Sequence, residues 1–174
     1  MNRHGEIARL CNATHPMGWT ELGCRRRSEV AKMHIESIQV EGDDPRWNMP
    51  YTPALKVHGG AMVFVSGVTA APVYHSHPHD PTEFEHIPDD PARQAEMTLE
   101  NLRAVLTEAG GTFADVVQLI RFIVDLDRNQ DPINRVMAEQ LGEHRAASTT
   151  VEVVRLATDP RLVLELQAIA VVPD

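Results

Sequence analysis

Glu152, Glu165 and Gln167 are the residues that first demand a chemical explanation. They interrupt two otherwise apolar, β-branched runs, residues 148–156 and 162–171. Burying a lone carboxylate is costly, so such a group needs partners or a wet cleft. An acid on a cleft wall can orient a water molecule and move its proton. The competing reading for Glu165 is an ion pair with Arg155 or Arg161. For Glu152 it is a structural partnership with Arg155 or Arg121, since ion-pair networks also hold carboxylates. His75, His77 and His79 form a second group, with His86 nearby. On a strand, alternation would put three imidazoles on one face, a set that suits zinc, nickel or copper. Pro78 and Pro81 break regular structure and no cysteine joins the set, so no metal is assigned. The expectation is an exposed loop at a cleft mouth that shapes substrate choice.

Other chemistries find no support. GxxxxGK[ST], GxGxxG and GxSxG are all absent. Thr149-Thr150 has no base at a recognisable spacing, which leaves nucleophilic catalysis without a partner.

The elements that must position these residues follow from periodicity. His34 to Val40 alternates as a weak strand, ended by Glu41-Gly42-Asp43-Asp44-Pro45. Ala54–Val57 and Met62–Val68 read as a hairpin about His58-Gly59-Gly60, where glycine supplies the positive φ of a tight turn. The continuous run Met62-Val63-Phe64-Val65 predicts a strand buried on both faces. Asp90-Pro91 opens a helix as N-cap and first helical residue. Ala95, Leu99, Leu102, Leu106 and Ala109 form its stripe, and Gly110-Gly111 ends it. Asp115 to Asp125 reads as a central strand. Asp131-Pro132 repeats the opening device for a second helix, with Ile133, Val136, Met137 and Leu141 buried and Gly142 closing it. The last two runs read as a strand pair about Ala157-Thr158-Asp159-Pro160-Arg161. The order β-β-β-α-β-α-β-β lets two helices cover one face of one mixed sheet, an α+β fold. The other face would be open and aliphatic, which predicts an oligomer.

A length of 174 residues fits one domain, and 43% hydrophobic residues suffice for an ordinary core. No run of eighteen apolar residues exists, so no membrane span is expected. There is no apolar h-region near the N-terminus, and Cys11 and Cys24 form no CxxC, so a cytoplasmic protein is expected. Residues 1–32 hold six Lys/Arg and three Asp/Glu, whereas residues 33–174 hold ten and twenty-two. The second part, at −12, repels polyphosphate and argues against a nucleic-acid partner. Residues 1–32 lack sustained periodicity and read as a disordered extension; Arg25-Arg26-Arg27 reads as a solvated tail. Residues 33–174 read as the compact domain.

Several short blocks, in order, carry a resemblance. They are Pro50-Tyr51-Thr52-Pro53-Ala54, Val63-Phe64-Val65-Ser66-Gly67, Gln94 with Leu99-Glu100-Asn101-Leu102, Glu108-Ala109-Gly110-Gly111, Asp115-Val116-Val117, Asn134, Thr150-Val151-Glu152-Val153 with Arg155-Leu156, and Glu165 through Val171. Over residues 45–172 the chain resembles the RidA/YjgF family of reactive imine/enamine deaminases. The resemblance implies a chorismate-mutase-like fold and a homotrimer whose sheets form a central barrel, with sites in the clefts between subunits. It implies hydrolysis of a small imine or enamine without a cofactor, with Glu165 positioning water. Tyr51, Ser66 and Asn134 fall on pocket positions, and Thr150 falls where many members have a cysteine whose backbone contacts substrate. Typical imino-acid deaminases carry an arginine just before the pair Thr149-Thr150. Here that position is Ser148, and Arg145 lies three residues upstream. A hydroxyl cannot replace a guanidinium against a carboxylate. The family also includes 2-aminomuconate-type deaminases and aminoacrylate-processing members. A binding protein that keeps the cleft without hydrolysis is the alternative, and a ribonuclease is disfavoured by the charge.

Overall fold

The computed structural model describes residues 32–42 and 49–174. The expected leader therefore lies outside the described residues, apart from Lys32. The elements run β1 (His34–Ile38), β2 (Ala54–His58), β3 (Ala61–Val68), α1 (Pro91–Glu108), β4 (Val116–Val124), α2 (Leu126–Leu141), β5 (Ala147–Val153) and β6 (Leu164–Val172). This is the order read from the sequence. No helix among the described residues is long and apolar enough to cross a membrane.

Strand pairing departs from that reading. The main sheet is ordered β3-β6-β4-β5, and β1-β2 form a separate pair. The last two runs are not a hairpin: β6 pairs antiparallel with β3 and β4, while β5 lies parallel to β4 on its far side. A parallel neighbour needs a crossover, and α2 supplies it. Nor do β2 and β3 pair, because β2 takes β1 in the register His34↔His58 and β3 takes β6. Gly59 and Gly60 do have positive φ, 68° and 79°, but they carry the chain from one sheet to the other. A Cβ at Gly60 would lie 2.7 Å from Val171 Cγ1.

Alternation on β6 decides what faces the core. Leu164, Leu166, Ala168 and Ala170 are buried under Leu99, Leu102 and Leu106 of α1 and Ile133, Val136 and Met137 of α2. Each of the larger side chains among them contributes about 1.5–3 kcal/mol. With a side-chain period of two, the same burial puts Glu165, Gln167 and Ile169 on the opposite face. On β3 the expectation of two buried faces fails: Met62 and Phe64 are 60% and 71% exposed, because they too point away from the helices.

The first helix starts as expected, with the Asp90 side chain accepting from the Ala92 N–H at 2.9 Å. The second begins at Leu126, six residues before Pro132, which lies inside it. An interior proline forfeits the hydrogen bond to the carbonyl four residues back and crowds it, yet the buried series Asn129, Ile133, Val136 and Met137 runs on past it. Asp125 adopts left-handed backbone (φ 50°), and its side chain makes no cap. The cap comes from another strand: Glu152 Oε1 accepts from the Leu126 N–H at 3.0 Å. Glu152 therefore partners a helix terminus, not Arg155 or Arg121.

A second, smaller core of Ala70, Ala71, Phe84, Ile87, Leu156 and Leu162 holds the long connections to the sheet. Buried Gln94 ties it together, donating to Pro88 and Arg161 carbonyls (2.7 and 2.8 Å) and accepting from the Val163 N–H (2.9 Å).

Candidate functional site

Glu165 lies on the helix-free face of β6, opposite Phe122 of β4. It lines a cleft of about 550 Å³ with Ser66, Gly67, Thr69, His75 and Thr158. The register between β3 and β6 slips between Val65 and Val68, so Ser66-Gly67 form a bulge against this stretch of β6. Bulges re-aim side chains and occur beside functional sites. The carboxylate lies over Gly67, where any Cβ would collide with Glu165 Oε1. Among the described residues no hydrogen bond or ion pair reaches the Glu165 carboxylate. Arg161 is engaged elsewhere, with Asp159 (3.0 Å) and the Phe84 carbonyl (2.7 Å). Partial burial pushes the Glu165 carboxyl above its ordinary value, and no nearby cation opposes the shift.

Asn134 and Ser148 lie in a different place, on the helix side of the sheet. They line a pocket of about 210 Å³ between α2 and the β4–β5 pair, together with Arg121, Met137, His144 and Arg145. Arg121 is a functional candidate the sequence reading considered only as a partner for Glu152. Its Nη1 donates to Asn134 Oδ1 at 2.7 Å. Its Nε is buried without a partner among the described residues. Burial pulls its pKa down, and among the described residues no carboxylate lies against it to push the other way. Arginine remains charged regardless. The signal was present in the sequence: Arg121 is the sole charged residue of Val116–Val124, and arginine is seldom buried unless paired.

Arg145 is differently placed. Its Nε donates to the Met49 carbonyl (3.1 Å), and its Nη1 donates to those of Gly142 (2.6 Å) and His144 (3.0 Å). Tyr51 is exposed and lines a third, open cleft of about 900 Å³, which adjoins the Arg121 pocket through His144 and Arg145. The β4–β5 register pairs Leu119 with Ser148, Ile120 with Thr149 and Arg121 with Thr150. Ser148 and Thr150 thus share the helix side with Arg121, and Thr149 shares the open face with Glu165. Within the chain, then, Ser66 and Glu165 meet in one cleft, and Asn134, Ser148 and Arg145 meet in another. The two clefts share no lining residue. His75, His77 and His79 converge, with one ring nitrogen from each within 4.8 Å of the others.

A two-helix layer on one face of a β3-β6-β4-β5 sheet, with the opposite face open, is a chorismate-mutase-like, RidA-type fold. The chain belongs to the RidA/YjgF family: the family model described as Endoribonuclease L-PSP matches residues 42–172. A RutC family protein of Pyrococcus abyssi is 36% identical over 121 residues, which is 70% of this chain and 85% of that protein. Escherichia coli K12 TdcF, whose name proposes a reactive intermediate deaminase, is 36% identical over 124 residues, 70% of this chain and 86% of its own. The crystal structure of E. coli TdcF with bound serine superposes with a TM-score of 0.53 at 33% identity, covering 71% of this chain and 89% of that one. A Rid family protein of unknown function from Yersinia pestis, YyfB, superposes with a TM-score of 0.63 at 26% identity, covering 79% and 98%.

Proposed function

We propose that this protein is a hydrolytic deaminase of small reactive imines or enamines that carry a carboxylate, working at sites shared between protomers of a homotrimer. The observation that carries this reading is the state of Glu165: a half-buried carboxyl in an open cleft, unpaired among the described residues and raised in pKa. In the reaction, water adds to the C=N carbon and ammonia leaves, so that imine and water become carbonyl compound and ammonia. Glu165 accepts a proton from the attacking water and returns it to the departing nitrogen. A carboxyl with an elevated pKa holds and releases that proton more readily near neutral pH.

Arg121 supplies the cation that Ser148 cannot. Its guanidinium sits on the neighbouring strand, lines the same pocket as Ser148, and is held by Asn134. It binds the substrate carboxylate by a charge-assisted bond. Arg145, already donating to three carbonyls, borders the entrance. The Thr150 backbone, Thr149, Ser66 and Tyr51 complete the binding surface. The serine bound to TdcF supports this substrate class, since it carries a carboxylate and a nitrogen on one carbon, as an imino acid does.

The site is assembled from one protomer's Glu165 cleft and a neighbour's Arg121 pocket. Support comes from the open sheet face, where Met62, Phe64 and Val151 are exposed around β6 and β5. Monomers rarely leave such a surface wet. The test is ammonia release from 2-imino acids generated in situ by an amino-acid oxidase. Acceleration over the uncatalysed rate, lost in Glu165→Gln, supports the reading. Thermal stabilisation by amino acids without ammonia release would replace it with a binding protein. For a ribonuclease, the excess of acidic residues in 33–174 is the wrong electrostatics.

A further inference from the structure

We infer that His75, His77 and His79 form a binding site for one divalent d-block cation of the zinc class. The inference is independent of the deaminase reading. Imidazole is a good ligand for zinc, cobalt and nickel. The three rings pack mutually, with centroids 4.9, 5.0 and 4.7 Å apart. One nitrogen from each lies within 4.8 Å of the other two. A tetrahedral ion about 2.1 Å from each nitrogen sets ligands about 3.4 Å apart. Small χ adjustments of His77 and His79, both exposed, close that gap.

The loop is built to hold the rings together. His75 Nδ1 lies 3.0 Å from the Pro72 carbonyl. That contact fixes a tautomer with the proton on Nδ1 and leaves Nε2 free to ligate, the usual second-sphere arrangement of a metal-bound histidine. His75 and His79 both stand edge-on to the fully buried Phe84 ring, at 5.4 and 5.7 Å. Glu83 Oε2 accepts from the Ser76 N–H (2.8 Å) and hydroxyl (3.1 Å), bridging the segment between His75 and His77. Asp80 caps the short 3₁₀ turn Pro81–Phe84 by accepting from the Thr82 N–H at 3.0 Å. At the other end, Asn101 of α1 donates to the Thr69 and Ala71 carbonyls (2.9 and 2.8 Å). The alternation that Pro78 breaks is thus replaced by a tight turn anchored on Phe84, which gathers the same three imidazoles by another route.

Three histidines leave one position of a tetrahedral ion for water or an anion. His75 also lines the Glu165 cleft, so the histidine cluster borders it. The experiment uses the full chain, stripped with a chelator and titrated with Co²⁺ by visible absorption and with Zn²⁺ by calorimetry. One ion per chain is expected, with the intense d–d bands of a low-coordinate cobalt site. The double variant His77→Ala/His79→Ala should lose affinity by about a hundredfold or more while its circular dichroism is unchanged. If that variant folds poorly, His79→Gln alone should lose about tenfold. Two results overturn the inference: no saturable binding by the wild-type chain, or unchanged stoichiometry and affinity in the histidine variants. The second would place the ion elsewhere in the chain. Ammonia release is measured separately, so loss of one finding leaves the other standing.

Discussion

The cleft around Glu165 and the pocket around Arg121 are electrostatic opposites. Among the described residues, one holds a carboxyl with no cation against it, and the other a buried guanidinium with no carboxylate. Leaving either charge group without a counterpart costs stability. Two such features in one small chain point to a role other than its own folding. On the proposed reading, neither cleft is a site by itself. The first can handle water and protons, the second can hold an anion, and hydrolysis of a carboxylated imine needs both.

The largest effect tests the acid half. Glu165→Gln should lower turnover in the ammonia assay by about 10²–10⁴-fold, the range for removing a general acid–base group. Wild-type turnover in that variant would remove Glu165 from the chemistry. Arg121→Ala comes next. Losing a charged hydrogen bond of about 1.5–3 kcal/mol predicts a ten- to hundredfold fall in kcat/KM on carboxylated imines. Arg121→Lys should recover part of it, since lysine offers a point charge rather than a fork. A neutral imine should be turned over equally by wild type and variant; an equal loss on both would make Arg121 merely structural.

Mixing the two variants sharpens the comparison further. If each site takes Glu165 from one protomer and Arg121 from another, co-refolded Glu165→Gln and Arg121→Ala chains form some intact sites. Random assembly predicts recovery of about a quarter of wild-type activity. No recovery above the separate variants would place both residues in one protomer's site. A smaller change concerns stability alone. Glu152→Ala removes the carboxylate that caps Leu126 and should cost about 1 kcal/mol, read as a lower Tm with ammonia release unchanged.

The subtlest effect is a pH dependence. The folded state raises the Glu165 pKa, so the native chain holds a proton over a range where the unfolded chain has released it. Stability is therefore fully present below the ordinary carboxyl range and declines as pH rises through the elevated value. Glu165→Gln should raise Tm at neutral pH, with the difference vanishing in acid. A variant less stable at neutral pH would show that the carboxylate is paired.

Much of this was legible in the chain because it rests on local rules. Asp90-Pro91 and Gly110-Gly111 bound α1 where a cap and a left-handed terminator should. Alternation alone separates Glu165 from Leu164 and Leu166. Pairing was not legible, since which strand lies beside which depends on contacts between residues far apart in sequence. The runs either side of Asp159-Pro160 suit a hairpin as well as they suit β5 and β6 flanking β4. The Asp131-Pro132 device is a sound opener locally, yet burial of Asn129 and the contribution of Glu152 extend α2 backward to Leu126.

The amino-acid order by itself determined the element types, their succession and the polar face of β6, because burial periodicity and capping act within a few residues. Tertiary structure alone decided that Arg121 stands beside Ser148, that Ser66-Gly67 bulge against the Glu165 stretch of β6, and that three histidines split by a proline share one corner. Each of these brings together side chains from different strands or turns, and their approach is set by packing over the whole sheet rather than by any local preference.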